Sequence, residues 1–160
     1  MNKTLLTFAI LGLLTLLTSA YYSAPADSRI GYKAPALLLG DDNNGLSPLQ
    51  QHRGETILLT FWSSADAQSR LDNRHYDRLS RQAGMHYIHV SVNLDRSVNV
   101  FNSVVALDSL DRSTHYAASL EAQETVLKGW RLDEGFHSFL LDTEGKIIAV
   151  DPDERTLARI

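Results

Sequence analysis

Asp66 lies between Ser64 and Ser69, directly after the apolar run Ile57-Leu58-Leu59-Thr60-Phe61-Trp62. A carboxylate beside hydroxyls is the raw material for general-base activation of a nucleophile. On that reading Asp66 is the base and Ser69 or Ser64 the attacking group. A serine triad also needs an imidazole between acid and hydroxyl, and no histidine lies nearby in the sequence. The structural alternative is simpler. Asp66 opens a helix, its carboxylate accepts from the unpaired first-turn amides, and Ser69 faces solvent. We carry the cap forward as the expectation for Asp66 and keep catalysis as its competitor.

The other chemistry-bearing residues point to no metal and no cofactor. The chain has six histidines and no cysteine. No His-x-His or His-x-x-x-His pair occurs, and His86 and His89 point to opposite faces of a strand. Without cysteine there is no thiolate nucleophile, no disulfide and no thiolate metal site. Gly40-Asp41-Asp42-Asn43-Asn44-Gly45 offers oxygen ligands but lacks the regular acidic spacing and closing glutamate of a calcium loop, so it reads as a turn. Arg70, Arg74, Arg78 and Arg81, near Asp72 and Asp77, read as a solvated helix face with local ion pairs.

These residues need an α/β framework to position them. The run 57–62 is a buried strand feeding a helix over 66–82, the central unit of an α/β sheet. Steps of four through Leu71, His75, Leu79 and Ala83 predict the buried helix face. A strand over 86–93 follows, with Ile88, Val90 and Val92 on one face. The segment 95–107 reads as a helix with Val98, Phe101 and Val105 inward, and 108–116 as loop. Ser119 caps another helix, broken by Gly129. Phe139-Leu140-Leu141-Asp142 and Ile147-Ile148-Ala149-Val150 flank a turn at Thr143-Glu144-Gly145-Lys146, which predicts a hairpin. Asp153 caps a terminal helix over 154–160. Pro35 leads into a short strand over 36–39.

Two segments carry a resemblance. Phe61-Trp62-Ser63-Ser64-Ala65-Asp66-Ala67-Gln68-Ser69-Arg70 resembles the active-site segment of thioredoxin-like proteins of the extracytoplasmic TlpA/ResA type, Phe-Trp-Ala-x-Trp-Cys-x-x-Cys-Arg. Phe61, Trp62 and Arg70 match; the cysteines fall on Asp66 and Ser69. Trp130-Arg131-Leu132-Asp133-Glu134-Gly135-Phe136-His137-Ser138-Phe139-Leu140-Leu141-Asp142 resembles the family's second motif, in which a cis-proline faces the cysteines. Trp130, Leu132, Phe139 and Asp142 match, and Phe136 replaces the proline. A cis bond before a non-proline residue costs about 3 kcal/mol, so the peptide before Phe136 is expected trans. The resemblance covers 30–160 and implies a thioredoxin-like α/β fold, a central mixed β-sheet flanked by helices. It also implies that His137 approaches Asp66, the one acid–imidazole pair on which a hydrolase reading could rest. Trp62 reads first as core or cleft wall, and Phe136 as filling the groove that the family uses to hold extended peptide; if the groove instead stands open, Trp62, Ala65 and Phe136 would form an apolar patch for a partner peptide.

The 160 residues suffice for one domain with a core, and 44% apolar and 21% charged residues are ordinary for a globular protein. A net charge of −4 with mixed signs gives no reason to expect nucleic acid or an anionic membrane surface as partner. Residues 1–20 resemble a secretory signal: a basic start, an apolar run over 4–17 and small residues at Thr18-Ser19-Ala20. An uncleaved signal anchor is the alternative, and the sole membrane contact expected. Residues 21–29 read as a linker. The combined expectation is an extracytoplasmic, periplasmic or secreted thioredoxin-like protein. It has no thiol redox activity of its own, no cofactor, and another envelope or secreted protein as partner. The alternatives are a hydrolase using Asp66 and His137, or an accessory to a cysteine-bearing thiol–disulfide oxidoreductase.

Overall fold

The computed structural model describes residues 27, 29–40 and 47–160. The signal segment, most of the linker and the turn cluster at 41–45 lie outside the described residues. In chain order the elements are α1 (Pro48–Gln51), β1 (Ile57–Trp62), α2 (Ala67–Ser80), β2 (Ile88–Asn93) and α3 (Val98–Leu107). They continue with β3 (His115–Ala117), α4 (Leu120–Gly129), β4 (Ser138–Leu141), β5 (Ile147–Val150) and α5 (Glu154–Leu157). Among the described residues no helix is long and apolar enough to cross a membrane.

The five strands form one mixed sheet in the order β3-β2-β1-β4-β5. β2 pairs parallel with both β1 and β3, while β4 pairs antiparallel with β1 and β5. β1 is therefore central, and every one of its residues is buried. Alternation along the strands sends two different sets of side chains to the two faces. One face is wholly apolar: Ile57, Leu59, Phe61, Val90, Val92, Phe139 and Leu141 pack under α4 through Val126 and Trp130. Phe61, Trp130 and Phe139 form a ring cluster with centroids 5.1 to 6.0 Å apart. Each fully buried Leu or Phe here contributes about 2 to 3 kcal/mol.

The opposite face is divided. Leu58 and Leu140 meet Tyr76, Leu79 and Leu157, joining α2 and α5 to the sheet. Trp62 meets Phe101, Val104 and Val105 of α3. Between these apolar groups lies a buried polar layer of Thr60, Asn73, Asp77, His89, Ser91, Asn93, His115 and Ser138. A buried polar layer is tolerable only when its groups are hydrogen-bonded, and one chain of bonds runs right through it. Trp62 Nε1 donates to Ser91 Oγ (2.8 Å), and Ser91 Oγ donates to Asn73 Oδ1 (2.7 Å). Asn73 Nδ2 then meets His115 Nε2 (3.3 Å), and His115 Nδ1 meets Asp111 O (2.7 Å). An amide nitrogen can only donate and a carbonyl can only accept, so this chain sets His115 as the tautomer protonated on Nδ1.

That layer corrects the expected helix face. The buried residues of α2 are Ser69, Asn73, Tyr76, Asp77 and Leu79, whereas Leu71 is 57% exposed and Ala83 is exposed. The helix presents polar atoms inward because the sheet beneath it is polar there. Other expectations shift as well. Val98 is 57% exposed, and Val104 takes its place inward. The segment read as loop contains β3, which pairs with β2 through only three residues. No strand forms over 36–39: Pro35 lacks an amide donor, and the isolated bridge of this region lies ahead of it, Lys33 to Lys146, while Leu37 and Leu39 still bury. α5 stops at Leu157, short of the expected end.

Candidate functional site at the carboxyl end of the central strand

The turn after β1 is held from three sides. Asp66 is the N-cap of α2: its Oδ1 accepts from the Ser69 amide at 2.7 Å. Ser69 does not face solvent as expected; it is 5% exposed, because α2 turns that side of its first turn onto the sheet. Its hydroxyl donates to Asp66 O (3.2 Å) and accepts from the Ser63 amide (3.3 Å), which closes the turn on itself. Asp95, just past β2, accepts from Ser63 Oγ at 2.6 Å and from the Ser64 amide at 2.9 Å. Asn93 Nδ2 donates to its other oxygen (3.0 Å). Burial works against the charge on Asp95, but the hydrogen bonds from Ser63, Asn93 and Ser64 outweigh it and hold the carboxyl below its ordinary pKa.

Arg70, one turn into α2, forks onto Asp108 at the end of α3, with Nε to Oδ2 at 2.7 Å and Nη2 to Oδ1 at 2.8 Å. This bidentate pair holds the Asp108 carboxyl below the ordinary carboxylate range. Arg81 pairs with the buried Asp77. The four arginines are therefore not one solvated row: Arg74 and Arg78 stand on the surface, Arg70 ties α2 to Asp108, and Arg81 pairs with the buried Asp77 of α2 itself. Asp77 in particular is 1% exposed.

The second expected segment runs beside the first. The Phe61 amide donates to His137 O (3.1 Å), so Phe136 and His137 lie against the last residues of β1. The peptide before Phe136 is trans, as are all peptide bonds of the described residues. His137 does not pair with Asp66. Its Nδ1 lies 2.7 Å from Asp151 Oδ2, while Asp151 Oδ1 accepts from the Ser138 amide at 2.7 Å. Asp66 is engaged by its own helix. Acid and imidazole each have a different partner, and the carboxylate that the Ser63 and Ser64 side chains face is Asp95, not Asp66.

Trp62 is core, as its first reading has it, and the alternative of a patch that includes it does not hold. It is 0% exposed, with its indole N–H bound to Ser91, and it has no surface for a partner. Ala65 is exposed and Phe136 is half-buried against the apolar core. The exposed residues of the turn are Ala65, Asp66, Ala67 and Gln68, on a tightly bonded frame.

No family model matches the chain, and a comparison with curated proteins found no match. Solved structures do match. A thioredoxin-like protein from Parabacteroides distasonis is 30% identical with a TM-score of 0.63, over 78% of this chain and 92% of its own. This chain belongs to the thioredoxin-like family. The thioredoxin domain of a thiol-disulfide oxidoreductase from Bacteroides vulgatus shares the fold at 24% identity and a TM-score of 0.66, over 81% and 93% of the two chains. A thiol:disulfide interchange protein from Bacteroides sp. shares it at 19% identity and a TM-score of 0.63, over 82% and 88%.

As a thioredoxin-like protein the chain is a degenerate member, since it has no cysteine at all. Its thioredoxin-like turn is instead organised by a residue the sequence reading passed over. Asp95 reads in sequence only as the opening of a helix. Its clue is Asn93-Leu94-Asp95 at the end of a strand, where an Asn–Asp turn bonds its own backbone: the Asp95 amide donates to Asn93 Oδ1 at 3.0 Å.

Proposed function

We propose that this thioredoxin-like protein acts by binding, as an exported protein-binding or scaffold module without thiol redox activity of its own. The observation that carries this reading is the engagement of Asp66 and Ser69. At the positions where the resemblance implies a cysteine pair, one side chain caps a helix and the other is buried in backbone hydrogen bonds. A turn held this firmly leaves Asp66 and Ser69 tied to its own backbone, and it offers a surface that loses little conformational entropy when a partner docks. Ala65 and Phe136 supply the apolar contact, and the partner is another envelope or secreted protein. Export rests on the signal-like residues 1–20. It is also in keeping with neighbours described as thiol-disulfide oxidoreductases and interchange proteins.

The test is capture of the tagged full chain from cross-linked cells, with Phe136→Ala and Ala65→Arg variants first shown to melt like the wild type. We expect one stoichiometric envelope partner, lost from both variants. A partner retained by both moves the interface off this turn, and no partner at all removes the binding reading. If the captured protein carries a reactive cysteine pair, the chain is an accessory to an oxidoreductase.

A further inference from the structure

Asp77 on α2, His89 on β2 and His115 at the start of β3 come from three separate stretches of sequence and meet in the buried polar layer. They are 1%, 3% and 0% exposed, and one ligand atom of each lies within 4.8 Å of the others. The fold alone brings them together: β2 pairs with β3, sending His89 and His115 to the face that α2 covers. The two rings stand edge to face with centroids 5.5 Å apart.

The bonds around the rings leave lone pairs rather than protons inside. His115 is protonated on Nδ1 toward Asp111 O, so its Nε2 carries a lone pair whose only contact is the long one from Asn73. His89 Nε2 reaches Thr60 Oγ1 at 3.1 Å, and its Nδ1 is fully buried with no hydrogen-bond partner among the described residues. An orphaned N–H is rarer and costlier in a protein interior than an under-used acceptor. The proton of His89 therefore sits on Nε2, and Nδ1 holds a free lone pair. A histidine kept only for packing would satisfy both nitrogens, and His89 does not. One ring nitrogen fixed by a hydroxyl or carbonyl and the other left to ligate is how metal-binding histidines are oriented; at His115 an ion would take the place of the long Asn73 contact. Asp77 supplies the carboxylate: its Oδ1 accepts from the Asp111 amide (3.2 Å) and its Oδ2 faces Arg81.

We propose that Asp77, His89 and His115 form a binding site for a divalent transition-metal ion of the zinc type, which clips α2, β2 and β3 together. Two imidazoles and a carboxylate are a zinc donor set, leaving a fourth position for water. Tetrahedral bonds of about 2.0 to 2.1 Å place ligand atoms roughly 3.3 Å apart, so the three ligands close slightly on the ion. The cation in competition is Arg81, whose side chain is 52% exposed and can swing to solvent. The Arg81 edge is also the entry path, since Arg81 reaches Ser109 O at the same border. A clip of this kind cross-links a chain that has no cysteine to do so.

The experiment is titration of the full chain with zinc chloride, followed by calorimetry and thermal melting, and with cobalt chloride followed by visible absorption. Imidazole 15N spectra are recorded on the wild type. We expect one ion per chain, a raised Tm, a tetrahedral cobalt band, and movement of the His89 and His115 ring nitrogens but not those of exposed histidines. His89→Gln should weaken zinc by roughly tenfold or more. Arg81→Ala should tighten it, and being a surface change it answers even if the His89 variant does not fold. Failure to bind zinc overturns the proposal. So does binding that leaves the His89 and His115 nitrogens unmoved, because the ion then sits on surface histidines.

Discussion

At the scale of single residues, Asp66 is a helix cap and behaves as one. Replacing it by Ala removes the acceptor for the Ser69 amide and should cost about 1 kcal/mol in chemical denaturation. Asn keeps an acceptor and should cost much less. Equal losses in Ala and Asn would mean that the negative charge, not the cap, is what matters. Gly40 is a second residue with a defined role. Its φ is +106°, and a Cβ added there would meet Ser119 Oγ at 2.7 Å and Ser119 Cβ at 2.8 Å. Ser119 is the cap of α4 and is bound through its amide to Leu39 O at 2.9 Å, so it has little room to give. Gly40→Ala should therefore lower the Tm, with a cost of about 1 to 3 kcal/mol. An unchanged Tm would mean that the 39–40 segment moves freely away from α4. The cap on Asp66 was legible in the sequence because capping is local chemistry, decided within three residues. The burial of Ser69 was not, because it depends on what lies beneath the helix.

At the scale of elements, α2 is the instructive case. Its apolar spacing pointed to a face through Leu71 and Ala83, yet its inward face is built on Asn73 and Asp77. Hydropathy periodicity identifies a buried face only where that face is apolar, and here β2 turns His89, Ser91 and Asn93 toward the helix. Asn73 is the link between the two layers. Asn73→Ala would strand the Ser91 hydroxyl and the His115 lone pair without their partners. Each orphaned buried group costs about 1 to 3 kcal/mol, so the variant should lose about 2 to 6 kcal/mol in denaturant unfolding. A loss under 1 kcal/mol would mean that water enters the layer and replaces the amide. The helix turn carrying Arg70 is similarly tied, through Asp108, to the end of α3. Its arginine matched a family motif in sequence, but its partner 38 positions away could not be read there.

At the scale of the whole molecule, the ionised carboxylates that hold the turn and the helix ends set the acid limit of the fold. The folded pKa values of Asp95 and Asp108 lie below the ordinary value of 3.8, and Arg29 pushes Asp27 down to about 2. Above about pH 4 these groups are ionised in both folded and unfolded chains, and their stabilisation is fully present. As the pH falls below that, the unfolded chain takes up protons first, so stability drops until the folded carboxyls also protonate. Tm measured from pH 7 to pH 3 should fall steeply below pH 4, and less steeply in Asp95→Asn. Equal slopes would place the acid sensitivity elsewhere.

The sequence by itself determined the strand–helix unit at the centre, the caps at Asp66, Ser119 and Asp153, the hairpin after residue 138 and the absence of any thiol. Each of these rests on short-range propensity or on composition. Tertiary structure decided that His137 joins Asp151 rather than Asp66, that β3 exists, and that Asp77, His89 and His115 meet in one buried layer. Those outcomes depend on which strands lie side by side and which helix covers them. The physical reason is that a side chain's partner across a sheet is set by pairing register between distant segments, and no local pattern carries that information.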